Sequence, residues 1–356
     1  MKKLFFTVGP TQVHPDVEAY IHEALESGVC SLSHRSKEFG ELFAHTAASV
    51  KKLLNVPDGF HVFFLGSATE AIERVVENCV GERSFHLVNG AFSARFFETA
   101  QELKKRPEKV EVAKGQGFDF ASLAVPAEAE VVCITQNETS TGVALDMQEV
   151  YALKRKNPDK LFAIDIVSSV PYVDVDYSLI DCAFFSVQKG FGMPAGLGVL
   201  IVNDACIQKS KALQEKGMNI GTFHSLPSFL GYEAKQQTPE TPNVLGIYLL
   251  GRICDSYLEQ GIERIRKETD EKAKLVYDFF DAHATCKPFV KNPAWRSKMT
   301  IVIDTPEGSG LVTKTLADNG LIVSSGYGKA KDTQLRIANF PSQTLEGTRQ
   351  LLELLK

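Results

Sequence analysis

Short apolar runs recur through the central two-thirds of this chain, and stretches of helical periodicity separate several of them. The runs H-V-F-F-L (61–65), S-F-H-L-V (84–88), E-V-V-C-I-T (130–135), L-F-A-I-D (161–165), A-F-F-S-V (183–187) and G-V-L-I-V (198–202) predict strands. Between them, A-T-E-A-I-E-R-V-V-E-N and M-Q-E-V-Y-A-L-K-R-K predict helices. Strands that are apolar on both faces need covering on both faces. The expected fold class is therefore α/β, a large domain with a mostly parallel sheet covered by helices. In such a sheet a ligand site lies beyond the carboxyl ends of the strands.

After about residue 240 the texture changes. I-C-D-S-Y-L-E-Q-G-I-E-R-I-R-K-E-T-D-E-K-A-K-L-V-Y-D-F-F predicts long helices, and M-T-I-V-I-D, G-L-I-V-S and L-R-I-A-N-F predict short strands of a smaller C-terminal α+β domain. The expected division is a large domain over 16–240 and a small domain made of 1–15 and 241–356, the opening segment being too short to fold alone. A chain of 356 residues, 44% hydrophobic, can bury cores of that size.

With 39 basic and 44 acidic residues the formal charge is -5, which provides no general attraction to nucleic acid. The apolar run near the start stops at Gly9-Pro10, too soon for a secretory core or a membrane span, so no membrane partner and a cytoplasmic location are expected. Seven cysteines occur singly, without C-x-x-C, and eight histidines form no H-E-x-x-H. This spacing points to a reducing compartment and to neither a disulfide framework nor a metal site. Asn137-Glu138-Thr139 matches a glycosylation acceptor, a coincidence in a chain without a secretory route.

Three predicted strand ends carry chemistry. Phe64 to Glu70, F-L-G-S-A-T-E, reads as strand, glycine turn and helix start, with hydroxyls and backbone N–H groups able to receive a dianion; an ordinary N-cap by Ser67 accounts for it equally. It is neither a Walker A motif nor G-x-G-x-x-G. Asp165 ends L-F-A-I-D, where a carboxylate suits a protonated ring nitrogen or is simply a sheet-edge acid. Lys189 follows C-A-F-F-S-V-Q and precedes G-F-G-M-P-A-G-L-G, either as a turn residue or as an amine able to form a Schiff base. Phe92, in V-N-G-A-F-S-A-R, is a stacking aromatic or plain core. A phosphate cup, a ring-nitrogen carboxylate and an amine are together what a pyridoxal 5'-phosphate site requires.

These segments, in order, resemble the class V aminotransferases of pyridoxal phosphate fold type I, and among them the phosphoserine aminotransferases. T-V-G-P-T, S-H-R-S-K-E-F (33–39), G-S-A-T (66–69), N-E-T-S-T-G (137–142), the strand ending in Asp165, S-V-Q-K-G-F-G-M-P-A-G-L-G (186–198), T-P-E-T-P-N (238–243) and Q-L-R-I-A-N-F (334–340) carry the likeness over nearly the whole chain. The resemblance implies a transaminase in which Lys189 is the catalytic Schiff-base and proton-transfer lysine, Asp165 partners the ring nitrogen, Phe92 stacks on the ring and Thr139 donates to the ring hydroxyl. It places Ser67, Ala68, Thr69 and Gln188 around the cofactor phosphate with Thr241 from the partner subunit of a homodimer, Glu240 standing where asparagine is usual. Arg336 matches the arginine that grips the substrate α-carboxylate; a buried salt bridge is the bland reading of that residue.

Substrate assignment rests on the same resemblance. The family's phosphoserine enzymes hold the substrate phosphate with the histidine and arginine of S-H-R, here His34 and Arg35, plus a second histidine-arginine pair ahead of Arg336. Here L-I-V-S-S-G-Y-G-K-A-K-D-T-Q-L-R offers only Lys329 and Lys331. O-phospho-L-serine with 2-oxoglutarate is the leading pair, and a small amino acid such as alanine or serine with glyoxylate or pyruvate is the alternative. A cysteine desulfurase is disfavoured by Phe92 at the ring position, with Cys286 the one late cysteine to nominate. A catalytically silent binding protein is disfavoured because Lys189 and Asp165 both remain.

Overall fold

The computed structural model describes residues 3–356, and its first strand, β1 (Leu4–Phe6), belongs to the smaller of two main sheets. The larger sheet takes β2 (Phe60–Leu65), β3 (Ser84–Val88), β4 (Glu108–Glu111) and β5 (Val131–Thr135). A short hairpin of β6 (Asn137–Glu138) and β7 (Val143–Ala144), two residues in each strand, intervenes before β8 (Leu161–Asp165), β9 (Cys182–Ser186) and β10 (Gly198–Asn203) complete it. The order is β2-β10-β9-β8-β5-β3-β4, with every pairing parallel except those of β10, which runs against both neighbours. The expected mostly parallel α/β sheet is what forms.

Alternation along each strand explains the two covered faces. Val62, Phe64, Val132, Ile134, Ile164, Phe185, Val199 and Ile201 point into one apolar cluster, while Phe63, Leu65, Val131, Cys133, Ala163, Phe184 and Leu200 point into another. The helices α1 (Val17–Glu26) and α2 (Lys37–Leu53), with the helix Val244–Gln260, cover the first face; α3 (Ala68–Cys79) and α4 (Ala91–Glu102) cover the second. Each fully buried Phe or Ile contributes roughly 1.5–3 kcal/mol relative to exposure, so neither face tolerates solvent. The long helices expected across 253–280 are two: Gly261, at φ 85°, separates the helix Val244–Gln260 from Ile262–Ala282. That left-handed backbone favours glycine.

β11 (Lys287–Pro288), β12 (Thr300–Asp304), β13 (Leu321–Ser325) and β14 (Gln334–Ala338) make the smaller sheet with β1, in the order β1-β13-β14-β12-β11. Leu4, Phe5 and Phe6 pair in parallel with Leu321, Ile322 and Val323, so the opening segment is tied to the C-terminal sheet. Ile247, Ile253 and Tyr257 lie in the core of the larger sheet. Among the described residues no helix is long and apolar enough to cross a membrane.

The topology brings the carboxyl ends of β2, β3, β5, β8 and β9 to one edge, where α3 and α4 begin and where Gly198 of β10 pairs with both Leu65 and Ser186. A Cβ on Gly198 would lie 2.5 Å from the Ser67 carbonyl carbon. Gly198→Ala should therefore displace the start of α3 and cost about 1–3 kcal/mol, read as a lower urea midpoint. An unchanged midpoint would contradict this close approach.

Candidate active site

At that edge a cavity of about 210 Å³ is lined by residues from six segments far apart in sequence, among them Ser67, Ala68 and Thr69, Phe92, Thr139, Asp165, and Gln188 with Lys189. Every one of these was expected at the site from the sequence. Lys189 follows β9, whose end is fixed between β8 and β10, so its side chain is only 7% exposed. Its Nζ donates to Thr139 Oγ1 at 2.9 Å and lies 5.0 Å from the centre of the Phe92 ring. Thr139 Oγ1 donates to Ser168 Oγ at 2.8 Å, and Ser168 Oγ donates to the Asn137 carbonyl at 2.8 Å. The amine thus ends a directed chain of hydrogen bonds.

Space for that amine depends on Gly9 of the T-V-G-P-T segment. Gly9 has φ 138°, and a Cβ there would lie 2.8 Å from Lys189 Cε. The opening segment is held in place by the Thr11 N–H, which donates to the Gln188 carbonyl at 3.0 Å. Two separate features of the residue, its backbone angle and its missing side chain, are needed.

Asp165 ends β8 and is 5% exposed; its Oδ1 accepts the Val167 N–H at 2.9 Å. Burial pushes its carboxyl up to about 6, against the opposing pull of that N–H and of the Lys189 charge. Burial likewise pushes the Lys189 amine down to about 8, while Asp165 and Glu138 raise it and Arg336 and Arg95 lower it. At neutral pH the carboxylate and ammonium face each other across the cavity without forming a close ion pair. A buried acid with a single protein donor suits a cationic partner, and a protonated ring nitrogen supplies one.

The G-S-A-T turn acts in part as an N-cap, because Ser67 Oγ accepts the Glu70 N–H at 3.0 Å. The Ala68 N–H is taken by Ser186 Oγ at 2.8 Å. What remains for an anion is the Ser67 hydroxyl hydrogen, the exposed Thr69 at the first turn of α3, and the Gln188 side chain. The donor set is that of a phosphate-bearing aromatic cofactor: neutral donors at a helix start, an acid and an amine flanking an aromatic face.

Arg336, on β14, is partly buried; its Nε donates to the Ser325 carbonyl at 2.8 Å and its guanidinium lies 5.3 Å from the Tyr327 ring. Tyr327 in turn lies 5.6 Å from Phe92; Arg336 is not among the residues lining the cavity, but its charge reaches Lys189. Lys329 and Lys331 are exposed; Lys329 borders a neighbouring cavity with Lys114, Ser140, Thr141 and Tyr327. His34 and Arg35 lie outside the cavity around Lys189. Arg35 stacks on Tyr232 at 4.8 Å and donates to Gln237 Oε1, the Thr238 carbonyl and the Pro239 carbonyl at 3.0, 2.6 and 3.1 Å. It thereby fixes the segment leading to Thr241, which is exposed and likewise outside its own chain's cavity. Glu240 pairs with His224, which also contacts Glu70 of α3.

Glu138 was missed as a functional residue. It has no exposed surface, and its carboxylate accepts the Phe92 N–H at 3.0 Å, the Ser93 N–H at 2.9 Å and Oγ at 3.0 Å, and the Ser140 N–H at 3.1 Å and Oγ at 2.6 Å. It caps α4 from a different strand and so positions Phe92 against Thr139. Arg95, one turn after Phe92, also lines the cavity and was not singled out.

Glu138→Ala removes the shared acceptor of three backbone N–H groups and two hydroxyls and should cost about 3 kcal/mol or more in urea unfolding, whereas a cost near zero would contradict the cap. In Asp165→Asn the largest influence raising the Lys189 proton affinity is gone. The pH midpoint of amine labelling at Lys189 in the cofactor-free chain should therefore fall below about 8. A midpoint that stays or rises would contradict the coupling.

A family model described as Aminotransferase class-V matches residues 4–338. A solved phosphoserine aminotransferase from Cytophaga hutchinsonii superposes with a TM-score of 0.97 at 44% identity, covering 99% of this chain and 98% of that one. A putative phosphoserine aminotransferase of Mycobacterium leprae is 29% identical over 356 residues, 98% of this chain and 92% of the relative. An alanine–glyoxylate aminotransferase from Nostoc sp. shares the fold at a TM-score of 0.85 and 19% identity, covering 100% of this chain and 96% of that one.

Proposed function

We propose, for a chain that belongs to the class-V aminotransferases and is thus a pyridoxal-phosphate-dependent transaminase, that O-phospho-L-serine is its amino donor and 2-oxoglutarate the acceptor. The observation that supports the donor is the 44% identity, over 99% of this chain, with the solved Cytophaga hutchinsonii enzyme. When bound, pyridoxal phosphate supplies a conjugated electron sink for the charge left at the substrate α-carbon.

Lys189 Nζ removes the α-proton and redelivers it. Its amine, pushed down to about 8, has a usable neutral fraction near neutral pH, and Thr139 and Ser168 orient it. Asp165 would hold the ring nitrogen, Thr139 the ring hydroxyl and Phe92 the ring itself. Ser67, Ala68, Thr69 and Gln188 would hold the phosphate together with Thr241 of the partner subunit. The exposure of Thr241 outside its own cavity supports that exchange, which makes the active unit a homodimer. Arg336 grips the α-carboxylate with the two Nη groups that Ser325 leaves free. His34 and Arg35, outside their own chain's cavity, would meet the substrate phosphate at the site of the other subunit, Arg35 with the N–H groups its three protein acceptors leave unused. Seven unpaired cysteines support a cytoplasmic setting.

A second reading, a small amino acid such as alanine or serine with glyoxylate or pyruvate, is favoured by one observation. Lys329 and Lys331, where a second histidine-arginine pair is missing, are exposed point charges that hold a dianion less firmly than fixed guanidinium forks. Mixing the purified protein separately with O-phospho-L-serine, L-glutamate, L-alanine and L-serine decides between them. Phosphoserine and glutamate should discharge the cofactor's visible band rapidly, and discharge by alanine or serine with phosphoserine inert would overturn the donor assignment. Lys189→Ala should abolish turnover while retaining the fold. Arg336→Lys should raise KM for every donor by about tenfold or more; an unchanged KM would remove Arg336 from the substrate.

A further inference from the structure

The residues that border the start of α3 in this cavity, Ser67, Ala68, Thr69, Ser186 and Gln188, are all uncharged. A phosphate dianion set among them has neutral donors only. Two cations line the cavity, Lys189 and Arg95. Lys189 is engaged by Thr139 and faces Asp165, at the opposite functional end.

Arg95 is different in kind. It is half-buried on α4, one turn beyond Phe92, with its guanidinium carbon 5.4 Å from the centre of the Phe92 ring. Long side chains on a helix lean toward its N-terminus, which here is the end at the cavity edge. Ile72, one turn into α3, lines the same cavity, so Arg95 and the G-S-A-T turn border one space. Among the described residues its guanidinium makes no hydrogen bond and no ion pair; its one charged-group contact is the aromatic face of Phe92. A guanidinium stacked on a ring keeps its in-plane N–H donors for a ligand, and a partly buried cation without a partner is costly until one arrives.

We infer that Arg95 supplies the fixed positive charge that binds the phosphate group of the cofactor, while its stacking on Phe92 joins the ring-binding and phosphate-binding walls of the site. This rests on pyridoxal phosphate as the cofactor. Lys189 remains the mobile cation, the one whose proton affinity burial has lowered for chemistry. The two cations are thus divided between charge neutralisation and proton transfer.

The test titrates the full-length cofactor-free chain, wild type, Arg95→Gln and Arg95→Lys, with pyridoxal phosphate and separately with pyridoxal, reading the visible absorbance of the bound form. Arg95→Gln should weaken pyridoxal phosphate at least about tenfold, Arg95→Lys should restore part of the loss, and pyridoxal should bind all three equally. Inorganic phosphate should compete with pyridoxal phosphate less effectively in Arg95→Gln than in wild type. Equal weakening of both ligands would overturn the inference, because it would mean that Arg95 only props the Phe92 ring. Unchanged pyridoxal phosphate affinity with a raised KM for phosphoserine would also overturn it and move the charge to the substrate. A wild-type chain that binds neither ligand would overturn the cofactor assignment itself, whereas tight wild-type binding unaltered in both variants overturns only the role of Arg95.

Discussion

Glu138 accepts hydrogen bonds from the backbone of α4 and from Ser140 while having no contact with solvent, and the geometry around Lys189 depends on it. A buried carboxylate is tolerable only when its lone pairs are filled, and here five donors fill them. Because Glu138 lies in β6 directly after β5, satisfying it locks a helix start to a strand end. Phe92 and Arg95 on one side, and Thr139 on the other, then face the same cavity. A capping interaction normally settles only the end of its own helix. This one spans 45 residues of sequence and sets the width of a binding site.

The second constraint is electrostatic. Lys189 and Asp165 are almost fully buried at the carboxyl edge of one sheet, yet each is moved toward neutrality by burial and back toward charge by the other. The balance leaves an acid at about 6 and an amine at about 8, both near the pH at which a proton must be moved. Packing enforces the arrangement, since Gly9 and Gly198 let the opening segment and β10 approach within distances that a side chain would forbid. Folding energy from the two apolar faces of the sheet holds this costly edge together.

Much of this was legible in the chain itself. Strands β3 and β8 and the helix Met147–Lys156 follow the apolar and helical periods residue by residue. Ser67, Phe92, Asp165 and Lys189 stand out because strand ends with glycine turns are visible locally, whereas Thr139 came only through the family resemblance. The exposed edge strand β4, E-K-V-E, has no apolar alternation and gave no signal. Glu138 was hidden for a different reason: its partners lie on α4, and a carboxylate reads as a surface residue until the fold buries it. For Arg95 the informative fact is the lack of an anionic partner among the described residues, which exists only in three dimensions. His34, Arg35 and Thr241 lie outside the cavity of their own chain, so a single chain does not assemble everything the motifs suggested.

The proposed chemistry turns on Lys189 being the amine that holds the cofactor. Borohydride reduction of the cofactor-loaded protein, followed by peptide mass analysis, identifies the lysine covalently joined to it. Labelling confined to Lys189 is the predicted result. Stoichiometric labelling of another lysine, or cofactor released unattached after reduction, would contradict the site as built from this cavity.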